Sequence, residues 1–468
     1  MKKFPICFLV ICLLICMMQV SAEDMKADAS VNMGCNTIEG QVPFLGMKKR
    51  VENGKAMFLY EVNTDTVMYA DGADTQLPPA SLLKILTALI ALEKGTLTDV
   101  VTVREEVLKT LAPDAAVVEL LPDEVLTLKD LLYCMMVGSG NDAAVVLADH
   151  VMGSQAAFVD EMNKYAEDIG CTNTHFANVH GLHDNNQYTS ARDVAKILLR
   201  AIGNQQFCEL FGARTYTVPQ TNKSDRRVLT TQNYLMNNDN VIIHYDTRVT
   251  GSRTAVANDR TRSIASLAQV GDMKLICIIL GAEDVYEEDG YTVRVFGGYD
   301  ETKQLLDLGF TGYRTTQLFF ENQVMVQKPV VNGSSELTVG TGSAVMSVVP
   351  SSISENDLIY RYVDEVPLVA PITMGQRIST LQIWYGDICI AQTELFAMST
   401  VLQPGDVFGT ELKTVNDTDY LKIIMVIVGC LLGLVLVCVI VVSFLRANRI
   451  AKAKQRSRRN SRNRRRSR

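Results

Sequence analysis

The chain is predicted to be an exported α+β domain followed by a small all-β domain and one C-terminal transmembrane helix. Three observations carry this reading. Apolar segments stand at both ends of the 468 residues, one near the N-terminus and one at 423–445. Between 51 and 312, runs with helical period alternate with short runs rich in β-branched residues. From 313 to 397 the helical period disappears, and short Val- and Ile-rich runs are divided by Asn332 with Gly333, Gly340 with Gly342, Pro350, Gly375 and Gly386, the spacing of a small sandwich or barrel.

Lys2 and Lys3, an apolar run from Phe4 to Met18 and the small residues Val20, Ser21 and Ala22 make residues 1–22 a secretory signal peptide. Residues 23–50 show no period and read as a flexible lead-in. At the far end, residues 423–445 are apolar apart from Ser443 and would span about 35 Å as a helix, enough for a bilayer. The tail 446–468 holds 12 Lys or Arg and no acid, which places it in the cytoplasm and the preceding chain outside the cell membrane, a single-pass topology. Beside a membrane helix such a tail meets anionic lipid headgroups rather than nucleic acid. Gly429 and Gly433 form a G-x-x-x-G, a weak signal for helix pairing. Removing those 12 cations and the two of Lys2 and Lys3 from the net charge of −7 leaves −21 for residues 23–445, so the exported part does not hold anionic polymers by charge. Outside the two apolar segments lie Cys35, Cys134, Cys171, Cys208, Cys277 and Cys389, without C-x-x-C or His pairing and too sparse for a disulfide framework, so the expectation is buried thiols by default with room for one or two bridges, and no metal or other cofactor.

In chain order, Ala56 to Val62 and Val67 to Ala70 form a hairpin about Asn63 to Asp65. A helix from Ser81 to Gly95, apolar almost all round, belongs at the centre of the domain. After short strand signals between Val101 and Leu128 come helices at about 129–137, 141–150, 155–169 and 191–202. Extended segments follow at 213–218, 248–254, 263–268 and 274–281, then a helix at 302–308. Helices on a mainly antiparallel sheet give the α+β class. Trp384 in the second domain is read as core or a cross-strand packer, and 398–422 as a polar linker.

Chemistry enters at Ser81 and Lys84, an S-x-x-K at the start of the central helix. Three-residue spacing puts both on one face, and a lysine kept neutral by burial and a neighbouring cation can take the serine proton. Alone, the pair is equally a helix N-cap serine and a solvated lysine. Further along stand Ser139, Gly140, Asn141, and then Arg253, Thr254, Ala255 ahead of a strand.

These three elements in this order resemble the S-x-x-K, S-x-N and K-T-G signature of the penicillin-recognising serine enzymes, and most closely the low-molecular-mass penicillin-binding proteins that are serine D-alanyl-D-alanine carboxypeptidases. LPPASLLK at 77–84, SGNDA at 139–143 and FANVHGLHDNNQYTSARD at 176–193 carry the resemblance, which covers about residues 54–313. It implies a transpeptidase/β-lactamase-like catalytic domain acting on peptidoglycan stem peptides and acylated by β-lactam antibiotics. Ser81 is then the nucleophile, Lys84 the base and Ser139 the proton donor to the leaving amine. Asn141 holds the substrate peptide, and the backbone N–H groups of Ser81 and Val256 form the oxyanion hole. The K-T-G strand departs from the pattern. Val249, Thr250, Gly251 keeps Thr and Gly with Arg248 out of place; Arg253, Thr254, Ala255 keeps a cation and Thr, fits the spacing to the next strand, and is preferred. In that register Arg253 holds the terminal carboxylate beside Thr254. The clustered His175, His180 and His183 belong to the loop of the resemblance rather than to a metal site. Two other readings follow from the altered strand and the fold: a wall-binding or penicillin-binding pseudoenzyme, and a β-lactamase, against which the second domain and anchor speak.

Overall fold

The structure, a computed structural model, describes residues 56–237, 242–257, 261–288, 292–363, 366–386 and 388–404. The expected signal peptide, lead-in, transmembrane helix, tail and most of the linker lie outside the described residues. Among the described residues no helix is long and apolar enough to cross a membrane.

The expected hairpin is present as β1 (Ala56–Glu61) and β2 (Thr66–Asp71), paired antiparallel. The expected helix at Ser81 is corrected at its start. Ala80–Leu83 form a 3-10 turn, and α1 (Lys84–Lys94) begins at the lysine. Ser81 is not a helix cap: neither terminus carries a side-chain cap bond, and Ala80, at φ +44°, turns the chain instead. Every residue of α1 from Lys84 to Ala91 is buried, as its all-round apolar face demands.

A small ribbon of β3 (Val100–Thr102) and β4 (Val125–Thr127) encloses α2 (Glu105–Leu108). Thr127 and Asp130 then form a capping box at the head of α3 (Leu128–Met136). Next come α4 (Asn141–Met152), α5 (Gln155–Asp168), α6 (Ala191–Ala201) and α7 (Gln205–Phe211), the last three opened by Ser154, Ser190 and Asn204 as caps. The seven residues of α7 were not anticipated, being too few to establish a period.

Strands β5 (Thr215–Val218) and β6 (Arg227–Thr230) pair with each other. The main sheet adds β7 (Val249–Val256), β8 (Thr261–Val270), β9 (Met273–Tyr286) and β10 (Val293–Phe296), closed by α8 (Gly297–Gly312). Its order is β2-β1-β9-β8-β7, antiparallel throughout, with β10 on β9. Ile276, Ile278 and Leu280 of β9 join the core that holds α1, α3, α4 and α6. The alternate residue Leu275 lies against Gly309 of α8. Covered on both faces, β9 reads in sequence as an unbroken apolar run. The outcome that matters for function is that β7 is the open edge of this sheet.

Helix gives way to strand at Tyr313. Seven strands follow: β11 (Tyr313–Phe319), β12 (Val324–Lys328), β13 (Leu337–Thr341), β14 (Val345–Pro350), β15 (Leu358–Val363), β16 (Arg377–Tyr385) and β17 (Ile388–Ala397). One two-stranded sheet pairs β11 with β14, and a five-stranded sheet runs β12-β13-β17-β16-β15. Trp384 carries the Arg361 guanidinium 4.4 Å above its ring, a packing role. Residues 328–337, 368–373 and 400–404 group as a smaller compact unit tied by the bridges Val331 to Val369 and Ile372 to Val401.

Candidate active site

A cleft of about 530 Å³ runs along the open edge of β7 and is lined by Ser81, Ser139, Arg253, Thr254, Val256 and their neighbours. A separate hollow of about 300 Å³ near Leu97, Tyr133 and Glu209 is lined by no serine or cysteine nucleophile. Ser81 reaches the cleft because its 3-10 turn stands proud of α1 while Leu82 and Leu83 anchor the turn in the core. The loop 176–189 presses the turn into place. The backbone of Gly181, at φ +93°, passes so close that a Cβ there would lie 2.2 Å from Ala80 O. Only glycine fits such an approach. The same loop is pinned by the Thr87 hydroxyl donating to Val179 O at 2.9 Å and by reciprocal bonds between Leu77 and Thr189.

Lys84 is wholly buried. Its Nζ donates to Ser139 O at 2.8 Å and to Asn141 Oδ1 at 2.7 Å. Burial, then the charge of Arg253, holds its pKa well below the ordinary lysine value, against a smaller opposing pull from Asp142. A neutral amine has two N–H groups and one lone pair. Here both protons have acceptors, so the lone pair is left to receive a hydroxyl proton. An ammonium at the same place would need a third acceptor in a desolvated site.

Ser139 sits at φ +58° between α3 and α4, a backbone conformation that few non-glycine residues adopt and that marks a constrained position. Asp142 supports this corner. Its carboxylate accepts from the backbone N–H groups of Val118, Leu120 and Ala143, tying the 116–120 wall of the cleft to the head of α4. A second tie joins buried Glu124 to Arg227 at 2.6 and 2.8 Å.

Arg253 lies beneath the serines. Nε donates to Ser81 O at 2.7 Å, Nη1 to Met136 O at 2.9 Å, and Nη2 to Ser139 Oγ at 3.2 Å. Burial pushes its pKa down to about 10, so it stays cationic at neutral pH. The other register fails on geometry: Arg248 is paired with Asp246 and Asp307 and stacks on Phe310, away from the cleft lining. Each of the three nitrogens of Arg253 donates to the protein, so three of its five N–H groups are engaged rather than projecting as an open fork. Arginine has no acceptor, so Ser139 Oγ must accept from Arg253 and direct its own proton elsewhere.

Val256 and Ser81 both line the cleft. Ala257 N–H bonds inward to Thr261 O at 2.9 Å, so alternation along the strand turns the Val256 N–H to the open edge. Thr254 Oγ1 is buried there beside the Tyr299 hydroxyl. Histidine positions are structural. His175 Nδ1 lies 2.8 Å from Asn186 O, and buried His180 accepts from Leu182 N and is pushed down to about 4 by burial and by Lys84. Among the described residues no group of three or more His, Cys, Asp or Glu could hold a metal ion. Cys134, Cys171, Cys208 and Cys277 are free thiols, whereas Cys389, expected as a thiol, is disulfide-bonded.

Sequence reading missed Met136 O, the support from Asp142, the contact at Gly181, and the wall of Tyr234, Arg262, Phe296 and Tyr299. Only Arg262 had a sequence signal available, through its place opposite Val256 in a correctly registered β7–β8 pair.

Fold and cleft together bring Ser81, Ser139 and Arg253, with the buried Lys84 bonded to Ser139 and Asn141, to the open edge of an antiparallel sheet. Comparison with known families agrees. Residues 47–284 match the family described as D-alanyl-D-alanine carboxypeptidase, and residues 313–403 match the C-terminal domain of penicillin-binding protein 5. The chain belongs to the D-alanyl-D-alanine carboxypeptidase family and is a serine-type carboxypeptidase. It is 30% identical to the D-alanyl-D-alanine carboxypeptidase DacC of Escherichia coli, covering 76% of this chain and 86% of that one. It is 28% identical to DacF of Bacillus subtilis, covering 79% and 90%. Among solved structures, penicillin-binding protein 5 from Haemophilus influenzae superposes with a TM-score of 0.61 at 26% identity, covering 76% of this chain and all of the other.

Proposed function

We propose that this protein is a membrane-anchored D,D-carboxypeptidase that removes the terminal D-alanine of peptidoglycan stem peptides through an acyl-enzyme on Ser81, the residue that β-lactams also acylate. The observation that carries the reading is the placement of Lys84: wholly buried, its Nζ bonded to Ser139 O and Asn141 Oδ1, and its pKa held well below the ordinary lysine value by burial and by Arg253. Lys84 takes the Ser81 proton as Oγ attacks the carbonyl of the D-Ala-D-Ala bond. The backbone N–H groups of Ser81 and Val256 meet the oxyanion as charge develops. Ser139, its oxygen already accepting from Arg253, hands its proton to the leaving amine and is recharged through Lys84. Asn141 aligns the peptide, and water then releases the acyl group. Thr254 stands with Arg253 at the end of the cleft that receives the leaving D-alanine. Because Arg253 keeps a cation under the serines, the altered K-T-G strand does not by itself argue for a pseudoenzyme.

The anchor at 423–445 and the basic tail are part of the proposal and rest on sequence. The test is D-alanine release from a D-Ala-D-Ala peptide by the detergent-solubilised full chain, with covalent labelling by a fluorescent penicillin. Wild type is expected to do both and Ser81→Ala neither. Labelling without release from wild type would overturn the carboxypeptidase assignment, and rapid loss of label as hydrolysed drug would point to a β-lactamase.

A further inference from the structure

Cys389 of β17 is disulfide-bonded, and its partner follows by elimination. The chain has 11 cysteines. Among the described residues the other four, Cys134, Cys171, Cys208 and Cys277, are all thiols. The sequence leaves Cys7, Cys12 and Cys16 in the expected signal peptide, Cys430 and Cys438 in the expected transmembrane helix, and Cys35 in the lead-in. A leader that is removed supplies no partner. Cys430 and Cys438 each stand about 10 Å from the nearer end of a helix over 423–445, a depth in hydrocarbon that a folded β domain does not reach. Cys35 remains, on the same side of the membrane as Cys389.

The surroundings of Cys389 suit a docked segment. Cys389 stands opposite Trp384 of β16, and Trp384 opposite Ile359 of β15. The cysteine is thus two strands, about 10 Å, from β15, the outer strand of the five-stranded sheet. Outer strands are ordinarily protected by charge, proline or a bulge, yet β15 reads Leu-Ile-Tyr-Arg-Tyr-Val, with one charged residue and no proline. Ile359, Tyr360 and Tyr362 are 47%, 44% and 39% exposed. Arg361, folded over the half-buried Trp384 ring, adds its apolar stem to that surface. A single exposed apolar side chain needs no explanation, but three on one six-residue strand beside a tryptophan mark a surface that something covers.

The lead-in reaches it. Three or four extended residues span about 10–13 Å, the separation of Cys389 from β15, so a chain held at Cys35 brings Val31 on one side and Ile38 on the other to the outer strand.

We propose that Cys35 forms the disulfide with Cys389, and that this bond docks the lead-in around Cys35 on the Ile359 and Trp384 face of the second domain, covering β15. The bond forms by exchange: the two cysteine thiols pass two electrons and their two protons to the disulfide of an extracytoplasmic thiol oxidoreductase, which leaves as its dithiol. The mature N-terminus is thereby fastened to the β-rich domain, and an edge open to pairing with a second copy is closed. The proposal rests on the export proposed above and not on the reaction at Ser81.

The test uses the detergent-solubilised full chain from a host with an oxidising exterior. Thiols are alkylated in denaturant without reduction, and the digest is mapped by mass spectrometry. The expected product is one linked pair of peptides holding Cys35 and Cys389, separated by reduction, and Cys35→Ser should leave the Cys389 peptide alkylated. Hydrogen exchange reads the docking: the β15 amides should exchange about 10-fold faster in Cys35→Ser. Wild type opened by a mild reductant should show the same rise, which keeps the measurement available should the variant fold poorly. Cys389 alkylated in wild type, or linked to Cys430, Cys438 or the Cys389 of a second copy, overturns the pairing. Exchange in β15 that is unchanged once the bond is opened overturns the docking. Neither readout depends on turnover, so a failure of the carboxypeptidase reading is distinguished from a failure of this one.

Discussion

Replacing Arg253 by glutamine is the sharpest perturbation of the catalytic end of the cleft. Three donated bonds, at 2.7, 2.9 and 3.2 Å, are removed with a buried cation, and Ser139 Oγ loses the donor that orients it. The bond to Ser139 bears on leaving-group protonation, and a hydrogen bond to a charged group is worth about 1.5–3 kcal/mol, so kcat is expected to fall about 10- to 150-fold. The cation also acts on Lys84, whose pKa is lowered first by burial and next by Arg253. Lys84 is active when neutral, so activity is lost as pH falls through its depressed pKa. Without Arg253 that pKa rises, and the acid limb of the kcat/KM profile moves to higher pH. Arg253→Lys keeps the charge but has a single nitrogen, so it should lose rate about 10-fold, as for one lost bond of about 1.4 kcal/mol, with the acid limb held near its wild-type position. Measuring both profiles by D-alanine release separates charge from geometry. An acid limb that stays at the wild-type pH in Arg253→Gln would refute the electrostatic argument.

Other parts of the site give further expectations. Gly181→Ala places a methyl 2.2 Å from Ala80 O, displacing the nucleophile turn, so Ser81 labelling by penicillin should slow about 100-fold, as for a misplacement of about 1 Å, while circular dichroism stays native. Asp142→Asn replaces one carboxylate oxygen by a donor among three backbone N–H groups and frees the 116–120 wall. KM should rise several-fold and the loop should gain amide exchange, an idea abandoned if both stay at wild-type values. Burial would raise the Glu124 carboxyl, but Arg227, the Leu121 N–H and the Thr221 hydroxyl hold it below the ordinary value. Its contribution to stability is therefore present above the unfolded pKa of about 4.5 and is lost as pH falls through the folded one. Glu124→Gln should cost about 3 kcal/mol in urea unfolding at pH 7, and much less once the pH has fallen below the folded-state pKa of Glu124.

The elements that local pattern specifies were legible in the sequence. The hairpin, the five longer helices of the catalytic domain before β7 and the apolar run of β9 follow from period and capping, because each buries a continuous face. Ser81 was placed as a helix residue since an S-x-x-K at the head of an apolar run looks like a cap. Its 3-10 turn depends on Ala80 and on pressure from Gly181, about a hundred positions away, and no local signal encodes that contact.

The same distinction separates what was read at the site from what was not. Ser81, Lys84, Ser139 and Asn141 belong to two short motifs, which Lys84 joins by its bonds to Ser139 and Asn141, and the motifs carried them. Arg253 was found by spacing, but its job was assigned from residue type, and residue type cannot reveal where a guanidinium spends its donors. Those donors reach Ser81 O, Met136 O and Ser139 Oγ, so the guanidinium positions the two serines as well as supplying charge beneath them. Where a side chain spends its donors is set by what folds around it: Met136 O and Ser139 Oγ come from the end of α3 and the turn after it, more than a hundred positions before Arg253, and no pattern local to β7 announces them.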